Sequence, residues 1–347
     1  MSRLVLIDGN AILHRAFHAL PPMTNSAGEP TNAVYGFVAM LIRVIEELKP
    51  THLAVTFDRP GGTFRNELYK EYQAQRPKMD DALAFQVKSV HDATAALGFP
   101  IYEKDGFEAD DVLGTIASQV AKDIKILRDK DIKKENKKNT PNISISQSPN
   151  IEVVIVTGDR DLLQLVNDHV KLFMPVKGGL GEAKLYGEKE AKERMGVPPS
   201  QITDLKGLMG DPSDNYPGID GIGPKTAITL LKKFGSVENL LKNIDKVENQ
   251  KLREKLINGK KDLLVSYKLA TVVTDAPVDF TLEKAKLPAD FLTEDVVKLF
   301  GHFEFRTLLK RLSKLSGKEV TEDPRFRKDD NKKNDKKKID ENQMGLF

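Results

Sequence analysis

Short apolar runs separated by amphipathic stretches organise the first half of the chain. Leu4 to Ile7, His52 to Phe57 and Ile151 to Thr157 are rich in Val, Ile and Leu. Their length and composition predict strands buried on both faces. Between Gly36 and Leu48, the residues Phe37, Met40, Leu41, Val44, Ile45 and Leu48 recur at helical spacing, and Pro50 ends that helix. Strands alternating with such helices predict an α/β domain with a parallel sheet. From about Pro198 the texture changes to short helical segments. There YPGIDGIGPK (Tyr216 to Lys225) is a Gly/Pro-punctuated loop leading into TAITLLKKF, which predicts a second, helical lobe. The expected division is 1–197 for the α/β domain, 198–315 for the helical lobe and 316–347 for a tail.

Two stretches carry no sustained apolar period. Residues 124–150 are rich in Lys, Asn and Ser, and the tail mixes both charges until its last few positions. Neither offers enough apolar surface to fold alone, so both are expected to be disordered, the first as an insertion in a surface loop.

The candidate chemistry lies where the acids fall relative to the strands. LVLID ends in Asp8, LAVTFD in Asp58, and EVVIVTGDRD in Asp159 and Asp161. In an open parallel sheet the ligand crevice lies outside the carboxyl ends of the strands, so three strands deliver carboxylates to one place. A single Asp after a βα turn is also an ordinary helix N-cap. GFEADDVLG puts Glu108, Asp110 and Asp111 at the start of a helix, where the helix dipole favours acids. Three acids within four residues also repel one another unless a cation is present. MGDPSDNYPG adds Asp211 and Asp214 in a polar loop, although Asp-Pro and Asp-Asn are plain turn formers.

These nine carboxylates come without cysteine, and the six histidines form no ligand constellation. An all-oxygen set points to Mg²⁺ or Mn²⁺ rather than zinc, with two or more ions, and hence to phosphoester chemistry. Cysteine's absence also removes disulfides, iron–sulfur clusters and a thiol nucleophile, and fits a reducing compartment. No apolar run reaches the ~20 residues of a membrane span. The N-terminus reads as a strand entering a helix rather than a leader, so a cytoplasmic protein without membrane contact is expected.

Two further segments suit nucleic acid. Gly221 and Gly223 precede a helix that begins with Lys225 and Thr226 just inside it, a pattern that grips backbone phosphate in a helix-hairpin-helix, or is a simple interhelical turn. GGTFRNELYKEYQAQRPKMDD interleaves Arg65, Lys70, Arg76 and Lys78 with Phe64, Tyr69 and Tyr72. Such a mixture suits a single strand, with basic groups on phosphates and rings on bases. The alternative is a solvated charged face with tyrosines packed beneath it.

The motifs LIDGNAILHRAFHALPPMTNSAGEPTNAVYGF, FEADDVLG, VTGDRDLLQLV and MGDPSDNYPGIDGIGPKTA closely resemble the 5′→3′ exonuclease domain of bacterial DNA polymerase I, within the flap endonuclease family. The resemblance covers about residues 2–312. It implies a PIN-like, Rossmann-like nuclease fold with a helical arch, and a helix-three-turn-helix lobe that binds duplex DNA. The implied activity is structure-specific 5′→3′ exonuclease and 5′ flap endonuclease, hydrolysing phosphodiesters by metal-activated water in primer removal and repair. Expected partners are DNA with a 5′ flap or 5′ end and RNA primer–DNA hybrids. Carried over by position, Asp8, Asp58, Glu108, Asp110, Asp111, Asp159, Asp161, Asp211 and Asp214 form the metal set. Arg15, Arg65, Tyr72 and Arg76 match positions near the scissile phosphate and in the arch. Gly218, Gly221 and Gly223 match the loop that holds backbone phosphate, often through K⁺.

Three departures stand out. Gln73 replaces the lysine usual after this tyrosine, with Lys70 or Lys78 as substitutes. The Lys/Asn-rich insertion is unusual. No polymerase sequence follows, which implies a stand-alone monomeric form. The tail ends in QMGLF, and Gln343, Met344, Leu346 and Phe347 resemble the peptide by which bacterial replication proteins bind the β sliding clamp. The rival expectations are a DNA-binding protein that has lost catalysis and a PIN-type ribonuclease. A net charge of 54 − 51 = +3 decides none of this, because a sum says nothing about where charges sit.

Overall fold

The computed structural model describes residues 2–133, 151–175 and 183–318. Six strands, β1 (Ser2–Asp8), β2 (His52–Thr56), β3 (Ile101–Tyr102), β4 (Ile151–Val156), β5 (Val170–Pro175) and β6 (Ala183–Tyr186), form one sheet in the order β3-β2-β1-β4-β5-β6. All neighbours are parallel except β6, which is antiparallel to β5. The three strands predicted from apolar runs are the three central ones. β3, β5 and β6 lie toward the edges.

Among the described residues, thirteen helices surround this sheet or extend from it: α1 (Gly9–Ala19), α2 (Asn32–Leu48), α3 (Phe64–Leu68), α4 (Asp81–Ala96), α5 (Ala109–Lys133), α6 (Glu188–Met195), α7 (Ile202–Met209), α8 (Pro224–Phe234), α9 (Val237–Lys242), α10 (Gln250–Asn258), α11 (Lys260–Ala270), α12 (Glu294–His302) and α13 (Arg306–Ser316). The period-2 geometry of β1 divides the core. Leu4 and Leu6 face α5 and the helices that follow β6, while Val5 and Ile7 face α1, α2 and α4. α2 ends as its sequence predicts, at Lys49 in the left-handed region (φ 47°) just before Pro50.

Two expectations are corrected. Residues 124–133 belong to α5 rather than to a disordered insertion: the apolar stripe Val112, Leu113, Ile116 and Ala117 continues through Val120 to the fully buried Ile124. Residues 134–150 lie outside those described, as does the tail from 319 with Gln343, Met344, Leu346 and Phe347. The helical segment from 198 is also not one lobe. α7–α11 pack on the β4–β5 side, whereas α12 and α13 return to α4 and α2, burying Val296, Phe300, Leu308 and Leu312 in the opposite core. Their apolar face belongs to the α/β domain although their sequence texture matches the lobe. No helix among the described residues is long and apolar enough to cross a membrane.

Candidate metal centre and nucleic-acid interface

The sheet order places β1 between β2 and β4, so the carboxyl ends of the three central strands open side by side. A cleft of about 1040 Å³ lies there, lined by Asp8, Asp58, Glu108, Asp110, Asp159, Asp161 and Asp214, seven of the nine expected ligands. Asp8 ends β1 and caps α1: the Ala11 N–H donates to Oδ1 (2.9 Å), while the Thr157 hydroxyl donates to Oδ2 (2.6 Å). Capping and a place in the cleft coincide in this residue. Asp58 follows β2 and is held by the Asn10 amide (2.8 Å) and the Ala109 N–H (2.6 Å), which ties it to the start of α5. Asp159 accepts from the Asp161 N–H (2.7 Å).

Burial and mutual repulsion leave Asp8, Asp110 and Glu108 reluctant to ionise. Asp8 is pushed up to about 6, by burial first and Asp58 in addition. Asp110 is raised well above the carboxylate range by burial, then by Asp8, Asp159, Glu108 and Asp58. Burial pushes Glu108 up to about 7 despite Arg65 nearby. No hydrogen-bond donor among the described residues reaches the Asp110 carboxylate.

The other side is paired, with Asp211 itself off the cleft wall, although burial and Asp159 still push Asp161 up to about 6 against Lys206. Single carboxylate oxygens of Asp161, Asp211 and Asp214 lie within 4.8 Å of one another. Lys206, at the end of α7, donates to Asp161 Oδ1 (2.7 Å) and also contacts Asp211. Burial raises Asp211, but Lys206 and Ser213 more than offset it and hold the group below its ordinary value. Arg76 reaches Asp214 at 2.7 Å. The Tyr216 hydroxyl, buried on the same wall, has no partner among the described residues. Crowded oxygen donors, suppressed ionisation and an unused hydroxyl fit a hydrated divalent cation.

Several expected site residues do different work. Asp111 is fully buried and does not line the cleft. It forms a bidentate pair with Arg65 (2.7 and 2.8 Å) and accepts from the N–H groups of Glu108 and Val273. Arg65, 3% exposed, also donates to the carbonyls of Leu269 and Thr271. Its guanidinium joins α3, α5 and the end of α11, and the residue also lines the cleft, 3.6 Å from Glu108. Tyr72 lines the cleft but is 4% exposed, ring-stacked on Tyr216 (6.5 Å between centroids), and its hydroxyl donates to Glu108 (3.2 Å).

Arg15 does not line the cleft, and its Nε is buried without a partner among the described residues. Lys70 and Lys78 are exposed and off the cleft wall, whose arginine and lysine residues are Arg59, Arg65, Arg76 and Lys88. The span over the site is less helical than an arch: α3 has five residues and gives way to a turn in which Gln73 adopts φ 54°. That turn hydrogen-bonds to the Asp214–Asn215 loop through Gln73, Gln75 and Arg76, and Pro77 keeps it from continuing as a helix.

In the α7–α8 loop, a Cβ on Gly218 would sit 2.2 Å from the Gly210 nitrogen, so this buried glycine serves close backbone packing. Gly221, Gly223 and Lys225 are exposed where α8 begins, and Thr226 is half-buried. Lys206 and Tyr216 were not among the sequence candidates. Their proximity to Asp161 depends on the fold and leaves no local signal.

Residues 3–144 match the family described as 5′-3′ exonuclease, N-terminal resolvase-like domain, and residues 197–290 match the 5′-3′ exonuclease, C-terminal SAM fold. The 5′-3′ exonuclease of Aquifex aeolicus is 36% identical over 315 residues, covering 91% of this chain and 96% of its own length. The chain belongs to the 5′-3′ exonuclease family. DNA polymerase I of Bacillus subtilis is 40% identical over 310 residues, 89% of this chain but 32% of the polymerase. The chain thus spans about a third of the DNA polymerase I relatives it matches. In fold it is similar to a bacteriophage T5 D15 flap endonuclease crystallised with DNA and metal ions, with a TM-score of 0.57, 21% identity, and coverage of 90% of this chain and 99% of that one. The mixed sheet and helical lobe of the family account for the placement of the acids described above.

Proposed function

We propose that this family member hydrolyses phosphodiester bonds at 5′ ends and 5′ flaps of DNA, and at RNA primer–DNA junctions, using Mg²⁺ or Mn²⁺. The observation that carries the reading is the convergence of seven carboxylates, from three strand ends, the start of α5 and the 211–216 loop, on one cleft. Bound there, divalent cations supply charge stabilisation at phosphorus and a more acidic water. The protein's own groups do the rest. Asp8, Asp110 and Asp159 hold the cations, while Tyr72 and Asn10 orient Glu108 and Asp58 by hydrogen bonds. Arg76 and the 69–76 turn stand over the cleft to receive a strand. Gly221, Gly223 and Lys225 offer exposed N–H groups and charge to a duplex phosphate, with K⁺ as a candidate bridging ion.

The wider reading is a cytoplasmic, monomeric nuclease of lagging-strand replication and repair, tethered to the β sliding clamp through QMGLF; deletion of the last five residues is expected to abolish clamp binding. The test of the activity is a 5′-labelled flap substrate incubated with Mg²⁺ or EDTA, with Asp159→Ala as control. Mg²⁺-dependent release of the flap by the wild type alone is expected. Its absence would leave a DNA-binding protein without catalysis, the reading that Gln73 in place of a basic residue favours.

A further inference from the structure

The carboxylates of the cleft differ in what faces them. Asp8 and Asp159 accept from N–H and hydroxyl groups, and Asp110 from none of the described residues, whereas Asp161 and Asp211 share a single ammonium. Lys206 is 12% exposed and projects from the last turn of α7 directly into the group, and Asp214 beside it is taken by Arg76. A cation is therefore already built into this half of the cleft.

We propose that Lys206 is a resident counter-ion that a divalent cation must displace from Asp161 and Asp211, so that this half of the cleft loads after, and more weakly than, the half built on Asp8, Asp110 and Asp159. The inference rests on the metal-dependent reading above. An ammonium and a divalent ion compete for the same carboxylate lone pairs, and the lysine, being covalently attached, competes at a high effective concentration. After displacement it stays within reach of the incoming ion and repels it. Its four-carbon stem lets it swing aside, so the competition weakens binding without forbidding it. Asp8, Asp110 and Asp159 form no ion pair among the described residues, and the mutual repulsion of Asp110 with Asp8 and Asp159 draws a cation in.

The test is direct Mn²⁺ binding to the full chain, followed by the electron paramagnetic resonance of free Mn²⁺, for wild type, Lys206→Met and Lys206→Arg. The wild type is expected to show a tight and a weak class. Lys206→Met should tighten the weak class by about tenfold and leave the tight class unchanged, while Lys206→Arg, which keeps the charge, stays near wild type. Melting in EDTA gives an independent readout: Lys206→Met should melt lower than wild type, and Mn²⁺ should restore it. Lys206→Gln serves as a second neutral variant should Lys206→Met fold poorly. An unchanged weak class in a folded neutral variant would overturn the inference and leave the nuclease reading standing. No Mn²⁺ binding by any of the proteins would overturn both.

Discussion

The two halves of the acid cleft are built on opposite electrostatic plans. Around Asp8, Asp110 and Asp159 the protein gathers like charges and gives them neutral donors at most, with no ion pair among the described residues. Around Asp161, Asp211 and Asp214 it supplies its own cations, Lys206 and Arg76. The same residue type thus serves two ends: unpaired acids keep a site hungry for metal at a cost in stability, and paired acids hold the loop and the overlying turn in place without metal. A third acid, Asp111, marks the limit of the second plan, because its pairing with Arg65 is complete and buried.

The largest effect should come from the unpaired half. Asp110→Asn keeps the shape and removes a charge, and cleavage measured under single-turnover conditions is expected to fall roughly 10³-fold or more. In EDTA the same variant should be more stable than wild type by about 1 kcal/mol, because like-charge crowding is relieved. A melting temperature in EDTA that drops instead would break the comparison, since the group would then be stabilising on its own.

Next comes the completed pair. Arg65→Met leaves Asp111 buried without its counter-ion and removes donors to two carbonyls, so denaturant unfolding should show a loss of about 3–5 kcal/mol. The prediction separates a packing role from a role in the cleft. A stable Arg65→Met protein with only a slower reaction would show that the cleft role of Arg65, beside Glu108, outweighs its packing role.

How far the sequence could be read follows the same division. Acids at strand ends were legible because a parallel sheet must present the carboxyl ends of its strands together, and β1, β2 and β4 are central, long and apolar. The pairing of Asp111 with Arg65 left no local sign, because it depends on residues 46 positions apart meeting in the fold. Lys206 was missed for the same reason: it lies five residues before Asp211 but 45 after Asp161, and only the packing of α7 against the turn after β4 brings the three together. The helix at 124–133 was hidden by lysines that drown a weak apolar stripe ending at Ile124.

A smaller effect is expected at the overlying turn. Arg76 is more than half exposed, so its pair with Asp214 is screened and Arg76→Ala should cost less than about 1 kcal/mol in global stability. Its local effect should be larger than its global one, because the turn is held to the 211–216 loop by few other bonds. Hydrogen exchange of the amides of residues 73–76 should speed up in the variant, while the core strands stay protected. Equal protection in both proteins would mean that Gln73, Gln75 and the Asn215–Glu71 bond hold the turn without Arg76.

Gln73 offers the finest test, because it sits where the paired half meets the substrate side. Its amide donates to the Tyr72 hydroxyl (3.0 Å) and to Asp214 (3.3 Å), and its backbone N–H donates to the Asp214 carbonyl (2.9 Å). Gln73→Lys keeps the backbone bond and trades a neutral donor for an ammonium beside Arg76. With metal saturating, an added positive charge over the cleft should raise the single-turnover rate a few-fold, on the order of 1 kcal/mol or less. At limiting Mg²⁺ the gain should shrink, because a third cation near Asp214 opposes loading of the half that Lys206 and Arg76 already guard. A rate unchanged at every Mg²⁺ concentration would show that the charge above the cleft is not what limits this chain.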